Sequence, residues 1–420
     1  MIHKAIIYMR KFVSVALGFS IPVSTALNSI FLILTIPLWF LDSNYKNKIS
    51  IIKDNKYIWA IFILIGLYFI GLFYGEASTK EALNEFAGMA SLLLIPIMIP
   101  FFRDEKLRNA ALNLFLLTMT ITLFLSYLMW FDLLPKHEIF KGTKNDATVF
   151  FHHITQNLLM AFSSFLFAVR VRQSASWEKK LLYIGLTILA VFNVTIMVGG
   201  KTGYVVLIAL TFYFFLSWLR WKGFFVALFV IVILGILTYI IPSSSMHQGV
   251  KQFFVDVTKI NIKDQNSQEI TETSTVQRMI FYKNTTKIIS EHSILGVGTG
   301  GYPKAYSRLV TDAKMLSTTN PHNEYLMVTS QLGIIGLCAF LYLFLMQWNS
   351  ASGLFSTFDK IIARGLVLTI LSASMVTSTM MDFTERTFYI WMSALLFGGY
   401  TSFKSSEGHN EIISNNNSEK

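Results

Sequence analysis

One cysteine and a 14% share of charged residues are what this 420-residue sequence has least of. The cysteine, Cys338, lies inside an apolar run, so a disulfide within the chain is impossible. Little charge, 53% hydrophobic residues and a mean hydropathy of +0.53 exclude a string of soluble domains. The start, MIHKAIIYMRKFVSVALGFSIPVS, is basic then apolar but lacks an A-x-A-like cleavage site, so it reads as a retained first helix. No carboxylate pair or DxD-type signal appears, and adjacent His152 and His153 point to different helix faces. No metal and no cofactor is expected. No repeat of fixed period is visible, which weakens an inverted-repeat transporter reading.

What the sequence has in abundance is apolar runs long enough to cross roughly 30 Å of hydrocarbon. Twelve are expected, at about 5–22, 25–41, 57–74, 84–101, 108–131, 151–172, 178–198, 202–220, 222–242, 324–347, 357–380 and 386–403. Pro22 and Ser24 mark either a tight hairpin or a kink between the first two. The net charge of +11 sits in small Lys/Arg clusters between runs, as topology signals do, so nucleic acid is not an expected partner. Lys46, Lys48, Lys53 and Lys56, then Arg103, Lys106 and Arg108, then Arg170, Arg172, Lys179 and Lys180 put both termini in the cytoplasm. The fold class expected is an all-α polytopic membrane protein of about twelve transmembrane helices. Residues 1–242 hold nine of them, 243–323 form one large outer loop with amphipathic helices, 324–403 hold three, and 404–420 form a disordered cytoplasmic tail.

The chemistry concentrates in that loop. TVQRMIFYKNTTKIISEH predicts a membrane-surface helix with Val276, Met279, Ile280 and Ile288 apolar, Lys283 and Lys287 toward headgroups, and Arg278 placed for a bidentate phosphate contact. LGVGTGGY at 295–302 is a close-packed turn whose N–H groups, at Gly298 and Gly300 above all, are expected to approach a phosphate. His322, in NPHNEYL just before a span, is the leading catalytic candidate, since neutral imidazole is a general base for a sugar hydroxyl. Asn323 and Glu324 are placed to fix its tautomer. Lys201 in GGKTGY is either a snorkelling helix-end lysine or half of an anion site at a helix N-terminus. Asp382, Glu385 and Arg386 either pair with one another or line the mouth of a cavity, and His152, His153 and Tyr302 join the residues expected to line it.

Taken in order, GGKTGY at 199–204, the block from Gln277 through GVGTGG, and NPHNEYL running into QLGIIG resemble the O-antigen ligase family. The resemblance spans roughly the C-terminal half and implies a GT-C-like, metal-independent, inverting glycosyltransferase of the bacterial inner membrane. It implies polysaccharide on undecaprenyl diphosphate as donor, lipid A-core as acceptor and reaction on the periplasmic face. Arg278 and Lys201 would hold the diphosphate, with His322 as base or diphosphate ligand. The family usually carries arginine where this chain has Lys201, which keeps the charge and loses the bidentate fork. An O-antigen polymerase and an O-oligosaccharyltransferase are the nearest alternatives. A polymerase often has two sizeable outer loops, and an oligosaccharyltransferase continues into a further outer region after the last spans. A transporter of lipid-linked sugar or small solutes belongs to another class and calls for ionisable groups at span centres, whereas here they lie almost entirely at span ends.

Overall fold

The computed structural model describes residues 2–42, 45–134, 139–241, 274–310 and 317–400, with the single positions 247, 251 and 254. The expected tail and most of the loop ahead of residue 274 lie outside the described residues. Each of the twelve expected runs overlaps a helix, the last over its described residues only. In chain order these are α1 (Ile2–Ser20), α2 (Thr25–Leu41), a short α3 (Tyr45–Asp54), α4 (Lys56–Gly71), and α5 (Thr79–Ala90) continued through 3-10 turns and α6 (Leu94–Met98) to Phe102. There follow α7 (Glu105–Trp130), α8 (His153–Gln173), α9 (Trp177–Phe192) extended by a π turn at Asn193–Met197, α10 (Lys201–Leu219) and α11 (Lys222–Ile240). After the loop come α12 (Ser274–Glu291), α13 (Tyr302–Leu309), α14 (Glu324–Ser350), α15 (Thr357–Ala373) and α16 (Phe383–Phe397).

Among the described residues, seven helical stretches are long and apolar enough to cross a membrane, and Thr25–Leu41 and Lys56–Gly71 are shorter apolar helices. This is an all-α polytopic membrane protein. The question at Pro22 resolves as a tight hairpin: Ser24 caps α2 by accepting the Leu27 N–H at 3.4 Å, and Ser20 Oγ donates to buried Asn28 at 2.7 Å. Helices α8 and α16 form the centre, with Trp391 fully buried and its Nε1 donating to Ser14 O of α1 at 3.1 Å. Helix α11 lies at the edge, Phe225, Phe229, Ile236 and Ile240 all exposed, as apolar side chains facing acyl chains should be. The ends of α4, α7, α9 and α15 and the starts of α5, α8, α10, α14 and α16 gather at one end of the bundle, and α12 and α13 pack there.

One break matters for the site. Gly333, in the QLGIIG stretch, interrupts α14 at φ 63° and ψ −164°. Ordinary helix bonding fails around it, and the glycine loop supplies the partners instead. Ile334 N–H donates to Ser293 O at 2.8 Å, while Ser330 O and Gln331 O accept the N–H groups of Val297 and Gly298, both at 2.9 Å. A Cβ on Gly333 would stand 2.0 Å from Ile294 O, so only glycine permits this approach. Gly333 lies about 14 Å along the helix from Glu324 at 1.5 Å per residue, so the loop is stitched into the bundle instead of lying over it.

Candidate active site

Helix α12 organises the site. Its buried positions Thr275, Val276, Phe281, Thr285 and Ile288 pack inward, while Lys283 and Lys287 are exposed as expected. The packed stripe differs from the expected one: Met279 is 40% exposed, and Phe281 takes its place beside Tyr302 and Tyr306. Thr275, Arg278 and Tyr282 recur at helical spacing and share one face. Lys201, the first residue of α10, donates from Nζ to Thr275 Oγ1 at 2.5 Å. One turn on stands Arg278, half-buried and without an ion pair to any described residue. One further turn on, the His322 ring stacks on Phe281 with centroids 6.2 Å apart and planes at 28°, and Tyr282 OH donates to His322 O at 3.2 Å. Two cations and an imidazole that are distant in sequence thus line a single helix face.

Electrostatics follows from this row. Burial, and then the Arg278 charge, hold the His322 imidazole below its ordinary 6.5, so it is neutral at pH 7. Burial also lowers Arg278, with Tyr282 opposing, yet a guanidinium stays charged at any physiological pH. A half-buried charge with no counter-ion among the described residues is costly by itself and becomes favourable when an anion arrives. Its flat fork suits a phosphate.

The GGK turn that carries Lys201 is held by α8. Asn157 Nδ2 donates to Val198 O and Gly200 O, both at 3.1 Å, and Gly203 packs so tightly that an added Cβ would sit 2.7 Å from Asn157 Cβ. His153 borders the same turn. Its Nδ1 stands 3.8 Å from Asp146 Oδ2, and a Cβ on Gly200 would lie 2.9 Å from its carbonyl oxygen. His152, the N-cap of α8, is exposed.

Several expected roles are redistributed. The N–H groups of Gly298 and Gly300 are occupied, by Gln331 O at 2.9 Å and Gln331 Oε1 at 2.6 Å, so they are not available to a diphosphate and the turn is a structural seam. Tyr302 is fully buried, its hydroxyl 3.0 Å from Thr285 Oγ1. Asn323 and Glu324 do not fix the tautomer of His322. Asn323 caps α14 by accepting Leu326 N–H at 3.1 Å and donates to Met375 O at 2.9 Å, while Glu324 turns inward and accepts Met380 N–H at 2.9 Å. Nor do Asp382, Glu385 and Arg386 form a surface pair. Glu385 is buried and accepts from Thr155 at 2.6 Å, and Arg386 donates to the carbonyls of Met380 and Met381. Asn320, Ser378, Tyr282 and Asn157 are the functional neighbours that sequence reasoning missed. Their signal is weak, because each is an ordinary polar residue; Asn320, Tyr282 and Asn157 act on backbone groups, and Ser378 acts only through the side chain of Asn320. No group of three or more metal-ligating side chains occurs among the described residues.

Residues 184–341 match the profile of a protein family described as O-antigen ligase. The matched stretch begins in α9 and contains Lys201, Arg278, the glycine loop, His322 and the break in α14. No curated protein shows significant sequence similarity to the chain.

Proposed function

We propose that this chain, which belongs to the O-antigen ligase family over residues 184–341, moves a polysaccharide from undecaprenyl diphosphate to lipid A-core. The reaction takes place at the periplasmic face of the bacterial inner membrane. The observation that carries the reading is the row of Lys201, Arg278 and His322 along one face of α12, at the end of a membrane-embedded bundle. An acceptor hydroxyl attacks the anomeric carbon while neutral His322 takes its proton. The bond from that carbon to the diphosphate oxygen breaks, and undecaprenyl diphosphate leaves with the bonding electrons. Attack opposite the leaving group inverts the anomeric centre. A diphosphate already departs readily, so the protein supplies mainly cationic stabilisation of the departing charge and a base. Arg278 receives the diphosphate bidentately and Lys201 adds a point charge at a helix N-terminus.

Transfer by the purified protein in detergent tests this, with undecaprenyl-diphosphate-linked glycan, lipid A-core and EDTA present, and His322→Ala alongside. Glycan on lipid A-core that persists in EDTA and vanishes in the variant supports the reading. Lengthened lipid-linked glycan with no lipid A-core product makes the chain a polymerase.

A further inference from the structure

His322 is held in an unusual backbone conformation, at φ 55°, one of three non-glycine residues at positive φ among those described. Left-handed backbone costs a non-glycine residue roughly 1–2 kcal/mol, and such residues persist only where their surroundings over-determine them. Here the surroundings are specific. The His322 N–H donates to Asn320 Oδ1 at 2.7 Å, and the same oxygen accepts from Ser378 Oγ, also at 2.7 Å. Ser378 is fully buried in the turn before α16, so the acceptor is anchored to a different part of the bundle. On the other side of His322, Tyr282 OH holds the carbonyl and also reaches Met375 O at 3.3 Å. Asn320 is itself fixed: Thr318 Oγ1 accepts its N–H at 3.1 Å and donates to its carbonyl at 2.8 Å, and Pro321, buried, restricts the residue before it to extended backbone. The imidazole makes no hydrogen bond to a described residue. Apart from its stacking on Phe281, the ring is placed by the backbone that carries it.

We propose that Asn320, braced by Ser378, is a positioning residue that sets the His322 backbone so that the ring stands in the row with Arg278 and Lys201. This rests on the reading of His322 as the group acting on the acceptor hydroxyl. Both contacts to Asn320 use an oxygen as acceptor, so aspartate reproduces them and alanine does not. Losing the acceptor releases His322 to ordinary right-handed or extended backbone and swings the ring off Phe281, while the surfaces that bind donor and acceptor stay intact. The signature is a fall in turnover with little change in KM.

The experiment compares wild type, Asn320→Ala, Asn320→Asp and Ser378→Ala in the transfer assay. The reactivity of His322 toward diethyl pyrocarbonate, followed by peptide mass spectrometry, supplies a readout that needs no activity. Asn320→Ala is expected to lower kcat about tenfold or more with KM values within about threefold, and Asn320→Asp to recover most of that loss. His322 should be modified several-fold faster in Asn320→Ala than in wild type or Asn320→Asp. Wild-type kcat in Asn320→Ala, or equal impairment in Asn320→Asp, overturns the proposal. If wild type transfers nothing, the ligase reading falls. The clamp is then judged by reactivity alone, and an unchanged rate in Asn320→Ala overturns it. Should Asn320→Ala fail to give a monodisperse protein, Ser378→Ala carries the same comparison, with a smaller loss expected.

Discussion

Replacing Gly333 with alanine tests whether the break in α14 is as essential as its geometry implies. At φ 63° and ψ −164° the residue occupies a region reserved almost wholly for glycine, which costs a side-chain-bearing residue about 1–3 kcal/mol. The added Cβ would stand 2.0 Å from Ile294 O and 2.6 Å from Leu295 N, both backbone atoms that no rotamer change can move aside. The loop must therefore retreat, and the bonds Ile334–Ser293, Val297–Ser330 and Gly298–Gln331 go with it. At about 0.5–1.5 kcal/mol net for each bond, the total with the backbone cost comes to about 2.5–7.5 kcal/mol, a large part of a typical folding free energy. Gly66→Ala is the control, because an added Cβ there meets nothing within 4 Å. Fluorescence-detected size-exclusion chromatography after heating should show Gly333→Ala melting about 5 °C or more below wild type, with Gly66→Ala unchanged. Equal midpoints for Gly333→Ala and wild type would refute the idea that the loop and the helix break hold each other.

Other outcomes follow from the same geometry. Arg278→Lys keeps the charge but loses the planar fork, so the donor KM should rise about tenfold while Arg278→Ala loses transfer altogether; an unchanged KM in the lysine variant removes the bidentate contact. A positive neighbour disfavours imidazolium, so Arg278→Gln should move the His322 titration upward toward 6.5, as read by NMR of isotopically labelled histidine. A downward shift or none contradicts the proximity of the two groups. Gln331→Ala leaves the Gly300 N–H and Glu85 without their partner and should cost about 1–3 kcal/mol of stability in the same heating assay. Lys201→Arg should keep or improve transfer, and Asn157→Ala should impair it nearly as much as Lys201→Ala if the hold on Val198 O and Gly200 O is what aims the cation.

The helices were legible because crossing a membrane demands long apolar runs, and those runs survive in the sequence whatever packs against them. His322 stood out as an ionisable group just ahead of such a run, and Arg278 as a cation set among the apolar residues of a loop helix. The glycine turn was misleading for a physical reason: glycine enrichment reports close backbone approach without saying to what, and here Gly296 approaches α14, Gly298 the end of α4 and Gly300 the start of α5. Gly333 sat in plain view in QLGIIG, but an isolated glycine within an apolar run is common in membrane helices, and its meaning depends on a loop some 35 residues earlier. Asn320 and Asn157 act through backbone carbonyls and amides, which carry no sequence identity, so no pattern of side chains discloses them.

The stitched break in α14 also bears on how such a chain is made. Until residues 293–298 dock, the groups freed around Gly333 face hydrocarbon or one another with no proper partner, a state the bilayer interior penalises heavily. Docking satisfies them and in the same step seats α12 and His322 at the end of the bundle. Sealing the helix and bringing Lys201, Arg278 and His322 into one row are then one event. A molecule that has not finished folding is left with unpaired backbone groups within the membrane before Lys201, Arg278 and His322 are brought together.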